Sequence, residues 1–151
     1  MSKMSLILRR AIENDLKILA QMNKKLIDDE GSSNPMSIQE LEERMKSWFL
    51  LDWNIDLICN DAQIIGYALY QYRENQNDKE QEEVFLRQYF INPDFRNQGF
   101  GQAGIKLLLE KRFKPDQTII IDVLESNPRG INFWKKAGFT PYCTTMKIKN
   151  I

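Results

Sequence analysis

The glycine-containing stretch from Arg96 to Ala103 constrains this chain more than any other feature. It follows an apolar, β-rich run at residues 84 to 91, and it opens an amphipathic helical pattern at residues 105 to 113. Glycine at a helix start lets the backbone approach a ligand closely. The unpaired N–H groups of the first helical turn, together with the helix dipole, favour an anion there. The stretch therefore predicts a phosphate or pyrophosphate site.

Two common phosphate-loop patterns do not fit. A Walker loop ends in Gly-Lys-Ser/Thr, whereas Gly101 is followed by Gln102. The dinucleotide pattern G-x-G-x-x-G is present at Gly99, Gly101 and Gly104, with an acid downstream at Asp122. However, residues 92 to 96 separate the first glycine from the strand, and the chain after Asp122 is too short to complete a doubly wound sheet.

A third pattern fits. Arg96, Gly99 and Gly101 resemble the coenzyme A loop of the GNAT superfamily of N-acetyltransferases, which reads Arg/Gln-x-x-Gly-x-Gly/Ala. Residues 127 to 139, NPRGINFWKKAGF, are similar to the second signature of that family, N-x-x-A-x-x-F-Y-x-K-x-G-F. The two signatures occur in the family's order and spacing. The resemblance is strong from residue 84 to 139 and weak before it.

The resemblance implies the GNAT fold and acetyl-CoA as cosubstrate, with direct transfer of acetyl to a primary amine in a ternary complex. Backbone groups at the strand end would pair with pantetheine, the loop would bind pyrophosphate, and the second signature would form a wall of the acyl pocket. Asn127 would also cap its helix. The implied coenzyme-binding residues are Tyr89, Phe90, Ile91, Arg96, Asn97, Gln98, Gly99, Phe100, Gly101, Gln102, Asn127, Phe133 and Trp134.

Trp134 departs from the family pattern, because many members carry a tyrosine there that is assigned as the acid protonating the departing thiolate. An indole N–H donates a hydrogen bond but is no practical acid. We therefore expect Tyr142 or solvent to supply the proton. Family members often place a carboxylate base on the preceding strand, which makes Glu83 a candidate base. The sequence also permits a catalytically silent acyl-CoA-binding regulatory module.

An acidic cluster, Asp28, Asp29 and Glu30, ends the first predicted helix. A solvated helix end is one interpretation. Carboxylates at a helix C-terminus oppose its dipole, however, and that cost is tolerable where the acids face a cationic substrate. In GNAT enzymes the region between the first two helices often lines the acceptor site, so we expect these acids to contact the amine.

Composition narrows the classes of partner. The chain has 21 basic and 21 acidic residues, a net charge of zero and no histidine, so a carboxylate or water must act as the base. There is no basic block for nucleic acid, no apolar run of membrane length and no metal-type spacing of Cys59 and Cys143. We expect a cytoplasmic protein with reduced thiols and no metal. A small-molecule amine is favoured over a protein as acceptor, and a homodimer stays open.

The pattern of apolar residues predicts one mixed α/β domain over residues 1 to 151 with the element order β-α-α-β-β-β-α-β-α-β. Ser37 and Glu40 form a capping box before the second helix. Residues 60 to 63 predict a hairpin. Residues 118 to 124 read as a buried strand, and residues 142 to 148 as a last strand.

Overall fold

The computed structural model describes residues 5 to 151, so the first four residues of the predicted domain lie outside it. It contains five strands and four helices, together with short 3-10 turns at Glu13–Asp15 and Pro93–Phe95. In chain order the elements are β1 (Leu6–Arg10), α1 (Leu16–Asp29), α2 (Ile38–Leu50), β2 (Asn54–Asn60), β3 (Gln63–Glu74), β4 (Glu82–Ile91), α3 (Phe100–Lys111), β5 (Thr118–Ile120) and α4 (Pro128–Lys136).

The strands form one mixed sheet in the order β1-β2-β3-β4-β5. The first four strands are antiparallel neighbours, and β5 runs parallel to β4. The predicted hairpin at residues 60 to 63 is confirmed, because Asn60 pairs with Gln63 across a tight turn. The fold class and the element order through α4 are therefore as the sequence predicts.

The helices cover both faces of the sheet, because each has one apolar stripe to bury. On one face α1 and α2 pack against the central strands, through residues such as Leu19, Met45 and Leu57. On the other face Ile105 and Leu108 of α3 pack against β3 and β4. The capping box that begins α2 is confirmed, since the Ser37 hydroxyl accepts from the Glu40 N–H and the Glu40 carboxylate accepts from the Ser37 N–H.

Two irregularities of β4 open the sheet where a ligand could enter. Pairing of β4 with β5 covers only Glu83 to Phe85 on β4, because β5 ends at Ile120. On the side of β3, Leu69 pairs with Gln88 and Tyr70 with Leu86, so Arg87 is the extra residue of a β-bulge. Bulges bend a strand and re-aim its side chains, and here the bend lies beside the opening.

The C-terminal part of the chain corrects two predictions. Strand β5 ends at Ile120 instead of residue 124, and the predicted strand at residues 142 to 148 is absent. The side chains of Tyr142, Met146 and Ile148 are exposed. An alternating apolar pattern becomes a strand only beside a neighbour that accepts its backbone hydrogen bonds, and in the described chain no strand pairs with this segment.

Candidate active site

A cleft of about 550 Å³ lies between β4 and the chain that follows β5, beyond the point where the two strands pair. The end of α1, the second half of β4, the glycine loop, the chain after β5 and the first turns of α4 all contribute to its lining. Residues from both signatures thus surround one space. Of the predicted coenzyme-binding residues, those that line it are Tyr89, Phe90, Ile91, Arg96, Asn97, Gly99, Gly101, Gln102, Asn127, Phe133 and Trp134.

The glycine loop presents backbone donors to this cleft. Asn97 and Gly99 have positive φ values of 60° and 83°, and Gly99 is the residue that caps α3. Such left-handed residues turn successive N–H groups towards one side and form an anion-binding concavity. No acceptor within the described chain hydrogen-bonds with the backbone N–H groups of residues 97 to 102. These donors and the N-terminal dipole of α3 fit a pyrophosphate.

Arg96 holds the glycine loop in place through contacts outside the loop. Its Nε donates to the carbonyl of Ile91 at 2.9 Å, and its guanidinium pairs with the carboxylate of Asp29 at the end of α1. The same guanidinium lies 5.4 Å from the centre of the Phe90 ring. Arg96 therefore links the loop to the end of β4 and to α1.

Tyr89 connects β4 to the start of α3. Its hydroxyl donates to the Gly101 carbonyl at 2.7 Å, and its ring stacks on Phe133 with centroids 6.0 Å apart. Burial raises the pKa of the Tyr89 phenol, so the hydroxyl keeps its proton and remains a hydrogen-bond donor. A Cβ on Gly104 would lie 2.1 Å from the Tyr89 hydroxyl oxygen, and one on Gly101 would lie 2.8 Å from the Phe133 ring. Both glycines are therefore needed for packing as well as for the loop.

Helix α4 and its cap also line the cleft. The Asn127 side chain accepts from the Gly130 N–H at 3.0 Å, which confirms the predicted cap. Gln102 donates from Nε2 to the Phe133 carbonyl at 3.2 Å, linking the glycine loop to α4. Trp134 packs edge-on against Phe133 and Phe139 and lines the cleft, and its role in an acyl pocket stays a prediction.

The three acids at the end of α1 have three different surroundings. Asp28 is exposed and does not line the cleft, whereas Asp29 is held by Arg96. Glu30 lines the cleft and forms no ion pair within the described residues. Desolvation, and secondly the charge of Asp29, raise the pKa of Glu30. A carboxylate poised in this way accepts a proton more readily than an exposed one.

Neither of the predicted catalytic residues lines the cleft. Glu83 lies at the start of β4, where its carboxylate accepts from Asn75 Nδ2 at 3.3 Å. Tyr142 is 93% exposed in the C-terminal segment. The geometry brings neither side chain to the site, and their catalytic roles stay predictions without support from the cleft.

Sequence reasoning missed the polar residues on the α2 side. Gln88 lines the cleft and accepts a 2.8 Å hydrogen bond from the buried Tyr67 hydroxyl. Arg87 lines it as well. Strict alternation along β4 would place Arg87 on the same face as Tyr89, and the bulge breaks that alternation. The one signal in the sequence is that Arg87 is the only charged residue between Val84 and Ile91.

Comparison with known proteins gives the family. The family model "Acetyltransferase (GNAT) family" matches residues 21 to 139, and the chain belongs to this family. No curated protein matches the sequence significantly.

Solved structures agree on the fold. A possible acetyltransferase from Clostridium difficile 630 superposes with a TM-score of 0.76 at 14% identity, covering 99% of both chains. A predicted acetyltransferase with acetyl-CoA from Clostridium acetobutylicum gives 0.72 at 17% identity, covering 96% of both chains. The aminoglycoside N-acetyltransferase AAC(6')-Iy in complex with CoA gives 0.76 at 15% identity, covering 99% of this chain and 97% of that one. At these identities the likeness establishes the fold alone.

Two further observations concern membrane crossing and metal binding. No helix within residues 5 to 151 is long and apolar enough to cross a membrane. In the same residues, no group of three or more Cys, Asp or Glu side chains is arranged to hold a metal ion.

Proposed function

We propose that this protein transfers the acetyl group of acetyl-CoA to a primary amine, with both substrates bound at once. The observation that carries the proposal is the glycine loop, whose unpaired N–H groups face a cleft that also contains one carboxylate of raised pKa, Glu30. An anion site next to a base is what an acyl-CoA-dependent transfer to an amine requires.

The glycine loop and strand β4 bind different parts of the cosubstrate. Backbone N–H groups of residues 97 to 102 hold the pyrophosphate, and Arg96 keeps the loop in place through Ile91 and Asp29. Beyond Phe85, the edge of β4 that faces β5 has no strand partner in the described chain. Its backbone groups are free to pair with the amide groups of pantetheine, and one N–H can polarise the thioester carbonyl. When bound, acetyl-CoA supplies the reactive thioester.

Glu30 is our candidate for the group that removes the proton from the acceptor ammonium, directly or through a water molecule. The neutral amine then forms a C–N bond with the acetyl carbon, the C–S bond breaks, and the electron pair leaves with sulfur. A thiolate leaves readily because the unperturbed pKa of a thiol is about 8.5. Cys59 is buried, Cys143 is exposed and neither lines the cleft, which supports direct transfer over an acetyl-cysteine intermediate.

The test is thiol release from acetyl-CoA with a panel of primary amines, with mass spectrometry of the products and calorimetry of coenzyme A binding. We expect turnover with at least one amine and an acetyl group on its nitrogen. Binding without turnover on any amine would contradict the proposal and leave the silent acyl-CoA-binding module, for which the tryptophan at position 134 is the supporting feature.

A matched pair of glycine variants locates the coenzyme site. Gly99→Asp places a carboxylate in the anion loop, and we expect coenzyme A affinity to fall by about 100-fold or more, because charge-assisted hydrogen bonds are lost and repulsion is added. Gly138→Asp is the control, since Gly138 also has a positive φ, of 104°, and a Cβ there meets nothing within 4 Å. Equal losses in both variants would contradict the site. Gly101→Asp is unsuitable because of its clash with Phe133.

A further inference from the structure

Two arginines contact one tryptophan of α2, and one of them, Arg87, lines the cleft. The guanidinium carbon of Arg44 lies 4.6 Å from the centre of the Trp48 ring, and that of Arg87 lies 5.0 Å from it. Trp53, whose ring centre is 6.0 Å from that of Trp48, continues the aromatic surface. Cation–π contacts of this kind hold guanidinium groups in place while their N–H groups stay available.

Neither of these arginines has a carboxylate partner within 4 Å in the described chain, whereas Arg9, Arg96 and Arg112 each have one. Arg44 instead donates from Nη2 to the Asn23 side-chain oxygen at 3.1 Å. In the same part of the chain the Arg44 Nε and the Asn23 Nδ2 are buried donors without an acceptor. Buried donors without acceptors are rare in folded proteins, so the interior beside Arg44 has more hydrogen-bond donors than acceptors.

The bulge in β4 explains how Arg87 reaches this place. Arg87 is the residue without a cross-strand partner between Leu86 and Gln88. It lines the cleft together with Glu30. Desolvation, and then the charge of Arg87, lower the pKa of Arg44, which means that the two positive charges act on each other. An anion placed between them would relieve that repulsion.

From this arrangement we propose that the acceptor carries an anionic group, a carboxylate or a phosphate, in addition to its amine. Arg87 binds the anion, Arg44 adds its positive charge from the other contact with Trp48, and Glu30 receives the ammonium group. Because Arg87 offsets the charge of Glu30 within the cleft, a polycationic acceptor is disfavoured. This inference rests on the proposed acetyl transfer and specifies its substrate class as an amino acid or another acidic amine.

Matched acceptor pairs test the proposal with wild-type protein. α-Amino acids are compared with their carboxamides, and phosphoethanolamine with ethanolamine, so that each pair differs in the anion. We expect kcat/KM to favour the anionic member by about 10- to 100-fold, the range for hydrogen bonds to charged groups. The pair with the larger ratio identifies carboxylate or phosphate. A neutral member that is used equally well in both pairs would overturn the inference.

Arginine variants assign the effect to the cluster. Arg87 is exposed, so Arg87→Gln should fold, and we expect the anionic preference to fall by about 10-fold or more while the KM for acetyl-CoA changes less than about twofold. Arg87→Glu should reverse the preference. Arg73→Gln is the control, because Arg73 lies 4.3 Å from the Phe85 ring centre but does not line the cleft.

A second measurement separates this inference from the proposed function. Calorimetry of each acceptor pair binding to the enzyme–CoA complex should show the same anionic preference without any turnover. If neutral amines are the preferred acceptors, and if the ratio of kcat/KM within each acceptor pair is the same in Arg87→Gln as in wild type, the acidic acceptor is overturned. Acetyl transfer itself then stands. Absence of turnover on every amine would overturn acetyl transfer itself, and the acceptor class with it.

Discussion

The two walls of the cleft are built in different ways. The coenzyme wall is mainly backbone: N–H groups of a short contiguous loop, held by Arg96 and by the Tyr89 hydroxyl. The proposed acceptor wall is made of side chains from the end of α1 and from β4, which are far apart in sequence and meet only in the fold.

This difference distinguishes a binding site that members of one family can share from side chains that differ between members. A backbone site depends on chain conformation, so glycines and a helix start define it, and any relative with the same loop can hold a phosphate group. A side-chain site depends on identity at scattered positions. In our proposal the acceptor is determined by residues such as Glu30 and Arg87, and comparisons at 14 to 17% identity do not reveal it.

The largest effect that we predict on the acceptor wall is from Glu30→Gln. Removing a general base costs about 10²- to 10⁴-fold in kcat, whereas coenzyme A affinity should stay nearly unchanged. Because the pKa of Glu30 is raised, the wild-type rate should increase as pH rises through that pKa, where the carboxylate becomes the active base. The rate of the Gln variant should lack this limb. A pH–rate profile of both proteins is the measurement.

Thermal unfolding provides the control for Glu30→Gln. A carboxyl pKa that is higher in the folded than in the unfolded protein means that the folded protein binds more protons between the two values. The associated stability is present below the ordinary glutamate pKa of 4.5 and is lost as pH rises through the folded value. The Gln variant should therefore be no less stable than wild type at neutral pH. Asp28→Asn, outside the cleft, should leave kcat unchanged, and an equal loss there would remove Glu30 from its role.

The second prediction concerns the Arg96–Asp29 pair, which links the coenzyme wall to the end of α1. Arg96→Gln should raise the Kd for coenzyme A by about 10- to 100-fold, because the loop loses its hydrogen bond to Ile91 and its partner on α1. Asp29→Asn should raise the same Kd by a smaller factor and leave the acceptor KM nearly unchanged. A change confined to the acceptor KM would instead place Asp29 on the acceptor wall, as the sequence predicts for the whole acidic cluster.

The sequence predicts the coenzyme wall better than it predicts the acceptor wall. The loop, the Asn127 cap and the Ser37 capping box are local patterns, and the structure contains all three. The sequence points to Glu30 only as one of three equivalent acids. Asp29 and Glu30 both line the cleft, and the pairing of Asp29 with Arg96 leaves Glu30 as the one without an ion pair in the described chain.

The predictions that the structure corrects depended on distant partners. The bulge at Arg87 requires knowledge of the pairing with β3, and the last strand requires a neighbour at the edge of β5. Alternation in the sequence gives the faces of a strand but neither its register nor its neighbour.

The third prediction concerns the support of the coenzyme wall. Tyr89→Phe removes the hydrogen bond from the Tyr89 hydroxyl to the Gly101 carbonyl, and we expect a loss of about 1–3 kcal/mol in the free energy of unfolding, measured in urea. Tyr72→Phe is the matched control, since the Tyr72 hydroxyl donates to the Arg112 carbonyl at 2.8 Å, away from the cleft. Both variants should be destabilised, but only Tyr89→Phe should weaken coenzyme A binding. Equal affinities would show that Tyr89 does not position the loop.

The smallest effects should come from the residues considered for proton return to sulfur. Trp134 packs on Tyr89, Phe133 and Phe139, so Trp134→Tyr exchanges a wall residue for a smaller one with a hydroxyl. Because a thiolate leaves well without full protonation, we expect kcat to change less than about tenfold. Tyr142→Phe should change kcat less than about twofold, since the Tyr142 side chain is exposed. A larger fall with unaltered binding would mean that the C-terminal segment reaches the cleft during turnover, and the acceptor wall would then include residues beyond α4.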